Sequence, residues 1–154
     1  MPMRKTTYLA VIASIVSLLA IATVACSSTG TGNATTITVT DAWLRPGLDP
    51  TAVYLTIEND TAEPVTLTGV SADWAGEVMI HHTVERDGLM VMEHMDSLVI
   101  PVGESVSLAP QGMHIMAQDL NSTISEGDKV RLELVTSSGD RVPFTAEARI
   151  QSVR

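Results

Sequence analysis

The sequence predicts an all-β fold: one domain of short antiparallel strands closed into a β-sandwich or barrel. Three observations carry that prediction. Apolar and polar residues alternate with period two in run after run, rich in valine, isoleucine and threonine. Glycine, proline, asparagine and aspartate punctuate those runs. No segment of the domain sustains the 3.6-residue spacing of a buried helix face.

In chain order, the first runs are Thr36-Ile37-Thr38-Val39-Thr40, Ala52-Val53-Tyr54-Leu55-Thr56-Ile57 and Val65-Thr66-Leu67-Thr68-Gly69-Val70. Further strands are expected over 78–84, 89–95, 105–108, 115–120, 130–135 and 142–150. Between them stand Arg45-Pro46-Gly47, Asn59-Asp60, Asp87-Gly88, Pro101-Val102-Gly103, Pro110-Gln111-Gly112, Glu126-Gly127-Asp128 and Ser138-Gly139-Asp140. Asp87-Gly88 is a strong hairpin signal, because both residues tolerate the positive φ of a two-residue turn. Short strands at this spacing argue for a sandwich or barrel.

The first 25 residues stand apart from this pattern. Arg4 and Lys5 precede an apolar stretch from Tyr8 to Ala22, and small residues lead on to Cys26. That is the layout of a secretory signal. Thr23-Val24-Ala25-Cys26 resembles a bacterial lipobox, which implies cleavage before Cys26 and acylation of that residue. Several acyl chains would anchor the protein to a membrane, since each buried methylene contributes about 0.8 kcal/mol. A plain signal peptide or an uncleaved anchor is the alternative; the apolar stretch is slightly short for the latter. Residues 27–36 are small and polar and read as a flexible tether. The globular domain is then 37–154, enough chain for one core.

Cys26 is the only cysteine, so disulfides and cysteine-based metal or redox sites are excluded from the domain. Removing Arg4 and Lys5 with the signal leaves 7 basic against 18 acidic residues, a net charge of −11 with histidines neutral. Nucleic acid and anionic lipid surfaces are poor partners for such a field. There is no nucleophile elbow, phosphate loop or clustered carboxylate pair in a matching motif, so no enzymatic activity is expected.

The chemistry-bearing residues are concentrated in one window. Every histidine (His81, His82, His94 and His114) and every methionine beyond the leader (Met79, Met90, Met92, Met95, Met113 and Met116) lies between Met79 and Met116. His81, Met92, His114 and Met116 read as H-x(10)-M-x(21)-H-x-M. Imidazole and thioether without thiolate favour monovalent copper over zinc or iron. A blue-copper electron-transfer centre needs a cysteine thiolate and is excluded.

Strand alternation sorts the window. Val78, Ile80 and Val84 share a face with His82; Met79 and His81 take the other. If the first face is the core, His81 points outward and His82 inward, with His82 the substitute ligand. His114, Met116 and Gln118 share a side that their polarity marks as exposed, the first two about 7 Å apart along the strand. The hairpin at Asp87-Gly88 returns Met92 against the strand of His81, with Met90 as competitor and the register open. Methionine is also a flexible core filler, and Met79, Met95, Met113 and His94 are assigned to packing or support around the site.

These residues and spacings resemble the periplasmic copper chaperone family PCuAC. The likeness spans about 38–150. It includes Ala42-Trp43-Leu44-Arg45-Pro46, Tyr54-Leu55-Thr56-Ile57-Glu58-Asn59, Pro110-Gln111-Gly112-Met113-His114-Ile115-Met116 and Glu126-Gly127-Asp128-Lys129-Val130. The resemblance implies a cupredoxin-like, Greek-key β-sandwich with a solvent-accessible Cu(I) site. By position it makes His81, Met92, His114 and Met116 the ligands. It also implies an extracytoplasmic carrier passing copper toward cytochrome c oxidase, to the copper-centre subunit or a Sco-type protein. The chain ends without the His- and Met-rich tail of some members, which makes a second, Cu(II)-selective tail site doubtful. Copper sequestration at the same site, or a metal-free Ig-like interaction lipoprotein, are the competing expectations.

Overall fold

The computed structural model describes residues 36–150. The expected leader over 1–25, Cys26 and all of the tether but Thr36 lie outside them. Among the described residues there are ten strands: β1 (Ile37–Leu44), β2 (Thr51–Asn59), β3 (Val65–Ser71), β4 (Ala75–Arg86), β5 (Leu89–His94), β6 (Leu98–Ile100), β7 (Ser105–Leu108), β8 (Met113–Leu120), β9 (Lys129–Thr136) and β10 (Arg141–Ala148). The all-β expectation holds. The strand not anticipated is β6, whose three residues are too few to show alternation, although Leu98 and Ile100 are buried and Val99 is exposed.

The strands form one continuous sheet in the order β5-β4-β8-β2-β1-β10-β9-β3-β6, with β7 on the edge of β2 beyond the end of β8. The sheet folds over so that its two halves face each other as an open sandwich. Ile80, Val53, Leu55 and Ile115 from one half meet Leu67, Ile100, Leu132, Leu134 and Phe144 from the other in a single apolar core. Full burial of each such side chain contributes about 1.5–3 kcal/mol, which makes this core the main stabilising term.

The pairing departs from a purely antiparallel sheet at one place. Trp43 and Leu44 pair with Glu147 and Ala148 of β10 in parallel. A register shift between Thr40 and Trp43 precedes this, with Asp41 at φ +51°. Such a bulge bends a strand, and aspartate tolerates the left-handed region better than most residues. The bend lets the end of β1 lie between β2 and β10 and join the two halves.

For the site, the consequence lies in β4 and β8. Ile80, Ile115 and Ala117 are buried on the core side. Their alternating neighbours therefore stand on the outer face of the β5-β4-β8-β2 half.

Candidate metal centre

The β4–β5 hairpin turns at Asp87 (φ +53°) and Gly88 (φ +79°), as the Asp-Gly signal predicts. Positive φ at both turn positions is the type I′ geometry that matches strand twist. A two-residue loop sets the register: Arg86 pairs with Leu89, Thr83 with Met92 and His81 with His94. On the other edge of β4, His81 pairs with His114 and Met79 with Met116. Directly opposed residues project from the same face of a sheet. His81, Met92, His114 and Met116 consequently share one outer face, on three adjacent strands.

His114 is the most enclosed of the four, with only 5% of its surface exposed. The Tyr54 ring lies 6.4 Å away on one side and the His81 ring stands edge-on at 5.9 Å on the other. Its Nδ1–H donates to the Gly112 carbonyl at 3.1 Å. That bond puts the proton on Nδ1 and leaves the Nε2 lone pair free, the usual arrangement of a metal-binding imidazole.

His81 is half-buried, and its Nδ1 is shut off from solvent without a hydrogen-bond partner. A buried unpartnered ring nitrogen is costly, and a bound cation would offset that cost. Burial is the main reason its pKa lies below the ordinary histidine value; the neighbouring His114 and His94 lower it further, against the opposing pull of Glu77. A lowered pKa keeps the ring neutral and ready to donate its lone pair.

Met116 is half-buried, opposite Met79 on β4 and Ala52 on β2. Met92 is 56% exposed and stands opposite Thr83, one diagonal step from His81. The diagonal spacing of about 7–8 Å is within reach of a long, flexible thioether. The His81 and His114 ring centres lie 5.9 Å apart, close enough for both rings to turn toward one ion with metal–nitrogen bonds of about 2.0 Å. Among the described residues no three His, Cys, Asp or Glu side chains are grouped to hold a metal ion. The face adds the sulfurs of Met92 and Met116 beside the two imidazoles, a donor type that favours a soft ion.

Two expectations need correction. His82 does not point into the core: it is exposed, opposite Glu93 and Met113, although Ile80 on the same side is buried. Past Ile80 the inner side of β4 is only partly covered: His82 is exposed, while Val84 is half-buried and Met113, opposite His82, packs against the core. His114 does lie on the outer face, but it is covered rather than exposed, because Tyr54 and His81 close over it.

The remaining residues of the window are also placed. Met90 faces the same way as Met92 but sits opposite Glu85, nearer the hairpin tip and further from the histidines. Met95 and Met113 pack against the core. Met79 stands beside Met116 on the site face. Tyr54, the cover of His114, was not anticipated; His94, expected only to support or pack around the site, proves to be the direct cross-strand neighbour of His81, 6.0 Å ring to ring. Counting outward from the Asp87-Gly88 turn gives the pairing of His94 with His81, whereas nothing local marks Tyr54.

The open β-sandwich is the fold of a class of protein, the PCuAC-type domains. Within it, the chain belongs to the LpqE-like family, whose model matches residues 37–148. The resemblance read from the motifs is thus sound. Among solved structures, the fold is similar to the copper-bound PCuAC domain from PmoF2, at 22% identity and a TM-score of 0.62, covering 75% of this chain and 93% of that one. It is also similar to the solution structure of CuI-DR1885 from Deinococcus radiodurans, at 25% identity and a TM-score of 0.58, covering 75% and 77%. Among curated proteins, it is 28% identical over 115 residues to "Putative lipoprotein Lxx21020" of Leifsonia xyli subsp. xyli, covering 73% of this chain and 69% of that protein.

Proposed function

We propose that this chain is an extracytoplasmic Cu(I) metallochaperone that binds one ion through His81, Met92, His114 and Met116. One observation carries the reading: His81 and His114 are directly paired across β4 and β8, with Met116 following on the same outer face. The copper named for the two solved PCuAC-type structures supports it. Thioethers bind Cu(I) without competition from protons, and imidazoles compete only below their pKa of roughly 6.5. A site on an outer face, with Met92 exposed at its rim, lets an acceptor replace the ligands one at a time. The role is binding and transfer rather than catalysis.

The acceptor we propose is the copper centre of cytochrome c oxidase, reached directly or through a Sco-type protein. Cleavage after residue 25 and acylation of Cys26 would tether domain 37–154 to a membrane outside the cytoplasm, close to such an acceptor. The lipoprotein name of the Leifsonia relative supports that placement.

The ligand set is tested by anaerobic titration against a chromogenic Cu(I) chelator. The wild type should take one equivalent, and the double variant His114→Ala/Met116→Ala should lose tight binding; unchanged affinity sinks the assignment. Transfer from the loaded protein to an isolated oxidase copper domain tests delivery. Retention of the ion there would favour sequestration.

A further inference from the structure

β5 is the outermost strand of its half of the sheet, with no strand beyond it among the described residues. The Met95 amide donates to the Ile80 carbonyl at 2.9 Å. In an antiparallel pair such bonds engage alternate residues, so Glu93, Val91 and Leu89 also bond to β4. Met90, Met92 and His94 therefore turn their N–H and C=O groups to the open side. Their side chains project from the same face as His81. We propose that this edge receives an extended, basic segment of a partner protein as one further strand. The docking stands without copper; its use in copper transfer rests on the copper-binding reading above.

Two observations set this edge apart. Native sheets blunt their edges with very short strands, lysine, proline or bulges. The opposite edge, β6, follows that rule with only three residues. β5 has six, none of them lysine or proline, and its one carboxylate, Glu93, is tied to Arg86. Leu89, Met90, Val91 and Met92 are large apolar side chains exposed in an unbroken run, so both faces of the strand stand free. Added strands gain affinity from backbone bonds and specificity from alternate side chains. Charge selects the occupant. From Glu85 to Asp96 four carboxylates stand against one guanidinium, which Glu93 already engages. A second copy at this edge would bring two acidic hairpins together, and an anionic bilayer would be repelled. A segment with lysine or arginine at its ends is complementary. Its residue opposite Met92 would lie about 5 Å away, Cβ to Cβ. A thioether at that place can take over Cu(I) from the Met92 sulfur by ligand exchange, with no change of oxidation state.

The test titrates the metal-free full chain with a synthetic peptide of alternating threonine and valine, with a central methionine and lysines at both ends. Backbone NMR should place the shifts on β5, and the amides of Met90, Met92 and His94 should become protected from hydrogen exchange. A peptide with glutamates in place of the lysines should bind at least about tenfold more weakly. Met90→Pro removes one outward N–H and leaves the bonds to β4 in place, since proline is tolerated where an edge N–H faces solvent. That variant should lose peptide affinity about tenfold and keep Cu(I) affinity within about threefold. No binding, shifts elsewhere, equal binding of both peptides, or an unchanged Met90→Pro variant would each overturn the proposal. Pairing of β5 with itself in the absence of peptide would overturn it in favour of a second copy. Because the titration uses no metal, failure of the wild type to bind Cu(I) would count against the four-ligand set alone.

Discussion

Replacing His114 by phenylalanine separates its structural role from its chemical one. The variant keeps an aromatic ring in the enclosed position beside Tyr54, so no large cavity opens. It loses the Nδ1–H bond to the Gly112 carbonyl, worth about 1 kcal/mol net. That carbonyl is not orphaned, because it also accepts from the Thr83 amide at 3.1 Å. The expected cost to the metal-free fold is therefore about 1 kcal/mol, or about 4 °C in Tm for a domain of this size. The cost to copper is of another order. Removing groups that merely orient a metal ligand weakens binding about 10–100-fold, so losing a direct ligand should cost at least about 100-fold, or about 2.7 kcal/mol. Thermal melting of the metal-free protein and Cu(I) chelator competition measure the two quantities independently. A variant melting about 4 °C lower but binding Cu(I) within about threefold of the wild type would refute the reasoning and make His114 a packing residue.

Two further outcomes follow from the register and from the His81 environment. Met92→Ala should weaken Cu(I) binding at least about tenfold, and Met90→Ala, a step nearer the hairpin tip, should leave it within about threefold; the reverse order in the same competition assay would show that Met90 is the ligand. Because the pKa of His81 is lowered on folding, the unfolded chain binds more protons just below about pH 6.5. The metal-free fold should then lose stability as pH falls from about 6.5 through the lowered pKa, and His81→Gln should remove part of that slope. Identical pH profiles of denaturant unfolding for wild type and variant would contradict the assignment.

What the sequence disclosed followed from period-two alternation and turn chemistry. β7 appears over the same four residues that the pattern marks, and the sides taken by His81, His114 and Met116 follow from Ile80, Ile115 and Ala117 being apolar. The hairpin register was legible in principle, since a two-residue turn at Asp87-Gly88 dictates that His81 meets His94 and Thr83 meets Met92. Other features were not legible because they depend on residues far apart in the chain. The cover over His114 comes from Tyr54, sixty residues earlier. The exposure of His82 depends on what lies across the sandwich from it, and the parallel contact of β1 with β10 joins the two ends of the domain. Local pattern reports which way a side chain points, but not what lies opposite it.

The central claim is that one Cu(I) is held by two imidazoles and two thioethers on the outer face of β5, β4 and β8. X-ray absorption at the copper edge of anaerobically loaded protein tests it most directly, because nitrogen and sulfur neighbours are counted separately. The account predicts a Cu(I) edge with two sulfur and two nitrogen neighbours per ion. A wild-type spectrum with only nitrogen and oxygen neighbours would contradict it.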